Sequence, residues 1–515
     1  MLSSLPFKVR VLTTLSTAVI GMIKEDSRTF IINVLERLRL AQLPGISRAL
    51  SKVVWSLDSR DQTRALIQKG RLYAAAQPPS GMALPFSAKR ASEMIQQLTQ
   101  KIPKGKSAKL AADGCNPRPL FFLTNSVPFT TSGYTERSHN LLRALRDQCI
   151  PVAAVTRFGY PVLVGKLPPR EIQEIDGIQY ERIISTLYPR SLSDRDDAAV
   201  RELARIGKKR DVNILHTTTD YKNAVVVSRA ASLLGVPWIY EVRGELEKTW
   251  LSRFPTGDQA SAKESDFYRL AHEQETNAMK NASAVIALSE VSRRAMMKRG
   301  IPGDRIIVVP NAINESLLKA EYDQRQIRQE LNLPPGPIVG CITSIVGYEG
   351  LDDLIRATAD LPEVKCLIVG EGAARPQLEM LAARLGVTDQ VIFAGRQPTD
   401  EIWKWYAALD VFVIPRKDTD VTRVVTPLKG LNAQALGKPI VASDIPALRE
   451  VTGNLGVYFP AGDVSELSRA VRDALTNPQY GHAEWAATRT WNENAKVLVR
   501  LYRKLLGSRD SDDLV

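Results

Sequence analysis

The chain has 515 residues but only four cysteines, Cys115, Cys149, Cys341 and Cys366. They lie far apart, with no CxxC pair and no metal-ligand spacing. That argues for buried thiols in a reducing compartment and against a disulfide framework. Histidine also occurs only four times, which argues against a multi-histidine metal site. Long hydrophobic runs are missing too. "VLTTLSTAVIGMI" (Val11 to Ile23) follows Lys8 and Arg10 but is too short to span a bilayer comfortably. No small-residue cleavage site clearly follows it, so it reads as a buried or interfacial helix. The glycine-bearing turn "LIVGEGAARPQL" is not a Walker loop, because it lacks GK[ST], and it lacks GxGxxG spacing as well.

What is present is a soluble, globular composition: 44% hydrophobic, 24% charged. The length is too great for one ordinary core and predicts two domains plus an extension. The net charge of +13 is unevenly spread. Residues 1–115 hold 18 Lys and Arg against 7 Asp and Glu, and the remaining 400 residues hold 51 against 49. A basic arm on a near-neutral body fits an acidic partner such as anionic lipid or polymer, or simply a solvated helical surface. The arm has no interleaved aromatics and no nucleic-acid module, so nucleic acid is not expected as a partner.

Helical spacing predicts helices in "FIINVLERLRLAQL", "QTRALIQKGRLYAAA" and "SAKRASEMIQQL", with a basic linker after them. From Leu120 short apolar strands alternate with helices, the mark of parallel α/β layers. The alternation restarts at "PIVGCITS". The expected domains are 1–116 (basic helical extension and linker), 117–312 and 313–490 (two doubly wound Rossmann-like domains), and 491–515 (a crossover helix and tail). Ligands of open α/β sheets bind beyond the carboxyl ends of the strands.

Several residues stand where chemistry could be done. Gly133 lies in the strand-to-helix turn "PFTTSGYTERSHNLL", beside the possible caps Ser132 and Thr135. His216 is expected to end the strand in "NILHTTTD", facing the cleft, and is either a ligand contact or a packed histidine. Arg243 stands between Glu241 and Glu245 after another strand, as a site residue or a structural ion pair. In the second half, Gly370 closes "LIVG", Arg396 follows "QVIFAG", and Arg416 and Lys417 follow "VFVIP". Lys429 and Asn432 open the helix after "TP". Arg416 and Lys429 together would make a cation-rich diphosphate site, whereas an ordinary loop with solvated bases is the alternative.

Taken in series, "TTSGYTERSHNLLRAL", "YEVRGELE", "VVPNAIN", "YEGLDDLI", "LIVGEGAARPQLE", "AGRQP" and "IPRKDTDVTRVVTPLKGLNAQALGKPIVASD" resemble the family 4 glycosyltransferases. The resemblance covers roughly residues 118–508. It implies the GT-B fold, in which two Rossmann-like domains face a cleft. It also implies retaining transfer from a nucleotide sugar, such as a UDP- or GDP-sugar, without a metal or other cofactor. The second domain would hold the donor and the first the acceptor, a glycan or lipid-linked saccharide of the cell envelope. The expected place is cytoplasmic, peripheral at the inner face of the plasma membrane through residues 1–115. On this resemblance His216 and Arg243 would serve catalysis. Gly133, Ser344, Gly370, Arg396, Arg416, Lys417, Thr426, Leu428, Lys429 and Asn432 would contact the donor.

The chain departs from the family at both acids of the E-x7-E motif, which fall at Val424 and Asn432. The family's commoner Arg and Lys fall near Ser344 and Glu349. An amide in place of a ribose-binding carboxylate exchanges charge-assisted bonds for neutral ones, at a cost of roughly 1–3 kcal/mol in donor affinity. The departures leave a second reading open, a degenerate GT-B protein that binds a partner in glycan assembly. Another GT-B enzyme, such as a nucleotide-sugar epimerase, is a third.

Overall fold

A computed structural model describes residues 6–25, 62–77, 86–106, 116–398, 400–427, 429–478 and 482–507. The chain forms two compact units, Met1–Ile286 with Val499–Val515, and Ala287–Leu498.

The first sheet is built from β1 (Pro119–Leu123), β2 (Ala153–Thr156), β3 (Ile172–Ile175), β4 (Ile178–Arg182), β5 (Ile214–Thr218), β6 (Trp238–Glu241), β7 (Ala284–Ala287) and β8 (Ile306–Val308). Their order is β3-β4-β2-β1-β5-β6-β7-β8. The central strands β1, β2, β5, β6 and β7 are buried at every position, as strands covered on both faces must be. The antiparallel β3–β4 hairpin at the edge was not anticipated, although Asp176-Gly177 between two alternating runs is a recognised hairpin signal. Asp176 and Gly177 both take the positive φ that such a turn requires.

The second sheet is wholly parallel: β9 (Ile338–Ile342), β10 (Lys365–Val369), β11 (Val391–Gly395), β12 (Val411–Ile414), β13 (Ile440–Ser443) and β14 (Val457–Phe459), in the order β11-β10-β9-β12-β13-β14. β14 was also unforeseen. Each sheet reverses direction beside its first strand, between β1 and β5 and between β9 and β12. At such a switch point the loops leaving neighbouring strands diverge and open a crevice.

The apolar run near the start is a helix, Phe7–Glu25, packed on the first unit. Val11 is buried with Val162 and Ile184, Arg10 pairs with Glu171 at 2.5 Å, and Thr14 Oγ1 donates to the Ser185 carbonyl at 2.5 Å. None of the described helices is long and apolar enough to cross a membrane. The helix expected through "QTRALIQKGRLYAAA" is two, Gln62–Gln68 and Leu72–Ala76, broken at Gly70. Phe86–Thr99 is helical as the spacing predicts. The expected helix in "FIINVLERLRLAQL" lies outside the described residues.

Candidate active site

In the second unit the site is built by the two loops that part at the β9/β12 switch point. The loop after β9 carries Thr343, Ser344 and Glu349, and the loop after β12 carries Arg416 and Lys417. Gly350 lets the loops meet: its φ is +71°, and a Cβ there would lie 1.7 Å from the Pro415 carbonyl oxygen. Beside it, Glu349 faces Arg416. The guanidinium donates from Nη2 to Glu349 Oε1 at 2.8 Å and from Nε to Oε2 at 3.2 Å. Its remaining arm, Nη1, donates to the Val425 carbonyl at 3.0 Å. Both side chains are almost fully enclosed, at 5% exposure.

Lys429, the first residue of the helix Lys429–Ala435, completes the cluster. Its ammonium donates to Thr343 Oγ1 and lies 3.8 Å from Glu349 Oε1. Burial pushes the Lys429 ammonium down, against the upward pull of Glu349. Burial would raise Glu349, but Arg416 and Lys429 outweigh it and hold the carboxyl below its ordinary value. The carboxylate therefore stays charged and fixes two cations at one point.

The remaining positions fall into distinct groups. Gly370, at the end of β10 with φ +140°, backs the β9 loop: a Cβ there would lie 1.8 Å from the Thr343 carbonyl oxygen. Thr426 is buried, and its hydroxyl has no hydrogen-bond partner among the described residues. Lys417 is turned to Asp352, at 2.7 Å. Ser344 and Arg396 are exposed and take no part in the cluster. Asn432 is half-buried on the short helix. Leu428 lies outside the described residues. The structure thus brings Arg416 and Lys429 together around Glu349, with Gly370 behind the Thr343 loop and Thr426 next to the Val425 whose carbonyl Arg416 holds. It adds Glu349, which the sequence reading saw only as a missing cation, and Thr343.

In the first unit, a cavity of about 260 Å³ opens beyond the carboxyl ends of β1, β5 and β6. Asn125, Ser132, Tyr134, Ser138, Asp220 and Arg243 are among its walls. Ser132 caps the helix Gly133–Asp147 with Thr135 as its reciprocal partner, so both possible caps are used. Gly133 is exposed, and nothing lies within 4 Å of where its Cβ would be. The Asn125 side-chain oxygen is buried with no hydrogen-bond partner among the described residues.

Arg243 is nearly buried and donates to the Tyr134 carbonyl at 2.8 Å, to Ser138 Oγ at 2.7 Å and to Glu241 at 2.8 Å. Glu241 also accepts from Arg137 Nε at 2.6 Å. Burial would raise this carboxyl, but the two guanidiniums hold it well below its ordinary value. His216 does not end its strand, because β5 runs on through Thr218. It is fully buried, stacked on Phe121 with 4.3 Å between centroids, and its Nδ1 lies 2.9 Å from the Tyr502 hydroxyl. Burial lowers its basicity. A mid-strand position with neighbours on both faces gives it a packed place, out of reach of solvent.

Two family models match this chain, "Glycosyl transferase 4-like domain" over residues 132–312 and "Glycosyl transferases group 1" over residues 323–497. The chain belongs to the family 4 glycosyltransferases. Among its relatives is the 2-deoxystreptamine glucosyltransferase of Streptomyces kanamyceticus, 25% identical over 60% of this chain and 82% of that protein. Another is the GDP-mannose-dependent alpha-(1-6)-phosphatidylinositol monomannoside mannosyltransferase of Mycolicibacterium smegmatis, 29% identical over 41% of this chain and 58% of that protein. The fold is shared with sucrose-phosphate synthase of Thermosynechococcus elongatus, with a TM-score of 0.60 at 21% identity, over 75% of this chain and 99% of that one. That likeness gives this family 4 glycosyltransferase the GT-B fold. Its donor is a nucleotide sugar, and such enzymes usually work without a metal cofactor. Among the described residues, no group of three or more His, Cys, Asp or Glu is placed to hold a metal ion.

Proposed function

We propose that the enzyme transfers a sugar, with retention of configuration, from a nucleotide-diphosphate sugar to a glycolipid or polysaccharide acceptor of the cell envelope. The observation that carries the donor side is the Arg416–Glu349–Lys429 cluster at the β9/β12 switch point. As the glycosidic bond breaks, negative charge grows on the departing diphosphate. Two fixed cations, already oriented, stabilise that charge without reorganising. Glu349 acts as a positioning residue for both. Asn432 takes the ribose side through neutral hydrogen bonds. The relatives' names support a GDP-sugar as one donor to try and an inositol lipid as one acceptor. The basic residues of 1–115 hold the enzyme at an anionic membrane face, each near-surface Lys or Arg contributing ~1 kcal/mol.

The test is thermal unfolding with UDP, GDP, ADP and their sugars. A ligand at a hundred times its Kd stabilises the folded state by about 2.7 kcal/mol. At least one nucleotide is expected to raise the melting temperature, and product analysis with that donor and a lipid-linked acceptor then gives the linkage. No shift with any nucleotide would overturn the donor assignment.

A further inference from the structure

A second cavity in the first unit, of about 400 Å³, lies beside the smaller one and shares Thr124 and Asp220 with it. One wall is the helix Phe86–Thr99, which lies outside both family matches. That helix is fastened in place: Gln97 Nε2 donates to Asp196 Oδ2 at 2.8 Å, and Glu93 Oε2 accepts from the Leu192 amide at 3.2 Å. The opposite wall is the carboxyl end of β2, where Arg157 and Phe158 follow Thr156.

The charged groups around this cavity are not equivalent. Arg90 is paired with Glu93 at 3.3 Å, and Arg195 donates to the Pro189 carbonyl at 2.8 Å. Of the two acids, Asp196 is held by Gln97, and Asp220 accepts from the Lys222 amide at 3.0 Å. Arg157 differs from all of these. It is half-buried, its Nε is enclosed without a hydrogen-bond partner, and it forms no ion pair among the described residues. Its terminal nitrogens make no hydrogen bond to the described residues, so this guanidinium brings an unpaired charge to the wall that an arriving anion can meet. Lys222 stands nearby as a second, half-exposed cation, 3.8 Å from Asp220. Met94, Leu163 and Phe267 give the rest of the wall an apolar surface suited to a sugar's carbon face.

We propose that this cavity binds the anionic group, a phosphate or a carboxylate, of a charged sugar unit in the acceptor, with Arg157 as the anchor and Lys222 as the second cation. That the bound molecule is the acceptor rests on the transferase reading above; the anion site itself does not.

The test is calorimetric titration of the full chain with glucose 6-phosphate, glucuronic acid and glucose. The two charged probes are expected to bind and glucose is not, and the tighter of the two tells whether the natural group is phosphate or carboxylate. Arg157→Ala should weaken charged-probe binding by roughly ten- to a hundred-fold, and Lys222→Ala by a smaller factor. The nucleotide-induced rise in melting temperature should survive both substitutions. Glucose binding as tightly as the charged probes would overturn the proposal, as would the absence of binding by either charged probe. So would unchanged charged-probe affinity in a folded Arg157→Ala protein or, if that variant does not fold, in Lys222→Ala. Charged sugars that bind while no nucleotide does would sink the donor assignment and leave the anion site standing.

Discussion

Glu349→Gln removes one negative charge from between Arg416 and Lys429 while keeping an oxygen to accept from the guanidinium. At 3.8 Å, and with an effective dielectric near 20, the lost attraction to Lys429 alone is about 4 kcal/mol before solvent reorganises. Removing one partner of a buried pair costs ~3–5 kcal/mol in general. The retained hydrogen bond lowers the expectation by about 1 kcal/mol, to ~2–4 kcal/mol. The sign with pH follows from the Glu349 carboxyl lying below its ordinary value of 4.5. Its contribution is fully present above that value and is lost as pH falls through the lower value it has in the fold. Melting of wild type and variant at pH 7 and in acid therefore checks the reasoning twice: the gap should be wide at pH 7 and close in acid. A diphosphate should also stabilise the variant more than wild type, because the site gains one unit of positive charge. Equal melting at pH 7, or a gap that persists unchanged in acid, would refute the account of Glu349 as the group that holds the two cations.

Asn432→Glu should keep nucleotide affinity or tighten it by up to ~1–3 kcal/mol, and a tenfold loss would remove Asn432 from the ribose side. Gly370→Ala should destabilise the second unit by several times the ~1 kcal/mol typical of point substitutions, because its Cβ would lie 1.8 Å from a carbonyl oxygen. Gly133→Ala, with open space around it, should leave the melting temperature unchanged, so a fall in transfer rate there would report a ligand contact. Glu275 is buried, and burial, with Asp220 nearby, pushes its carboxyl up to about 8. Between about 4.5 and 8 the folded chain keeps a proton that the unfolded chain releases, so this group lowers stability by ~1.4 kcal/mol for each pH unit of rise. Glu275→Gln should flatten that slope in a melting series, and an unaltered slope would mean that the carboxyl ionises normally.

Much of the fold was open to pattern reading because the central strands are short, apolar and punctuated by helices, so their period is unambiguous. β3 escaped because its residues alternate between exposed and half-buried and it pairs at a sheet edge. β14 has only three residues, two half-buried and one buried, too few for any period to show. In the active site, the cations were legible as residue types after a strand, but their partner was not. Glu349 stands 67 residues from Arg416, and only the parallel register of β9 beside β12 brings them together. Read along the chain, an acid in place of a cation is a defect. Across the switch point it is the group that orients two cations. His216 shows the opposite limit: the sequence could not say that β5 runs two residues beyond it.

The docking of the first helix has a consequence for synthesis. Thr14 meets Ser185, and Arg10 meets Glu171, across separations of 171 and 161 residues. A ribosome adding ~5–20 residues per second needs roughly ten to thirty seconds to produce those partners. Through that interval Val11 lacks Val162 and Ile184, the residues it is buried against in the folded chain. The nascent chain therefore displays a short basic-then-apolar segment that is covered only after Glu171 and Ser185 have been made.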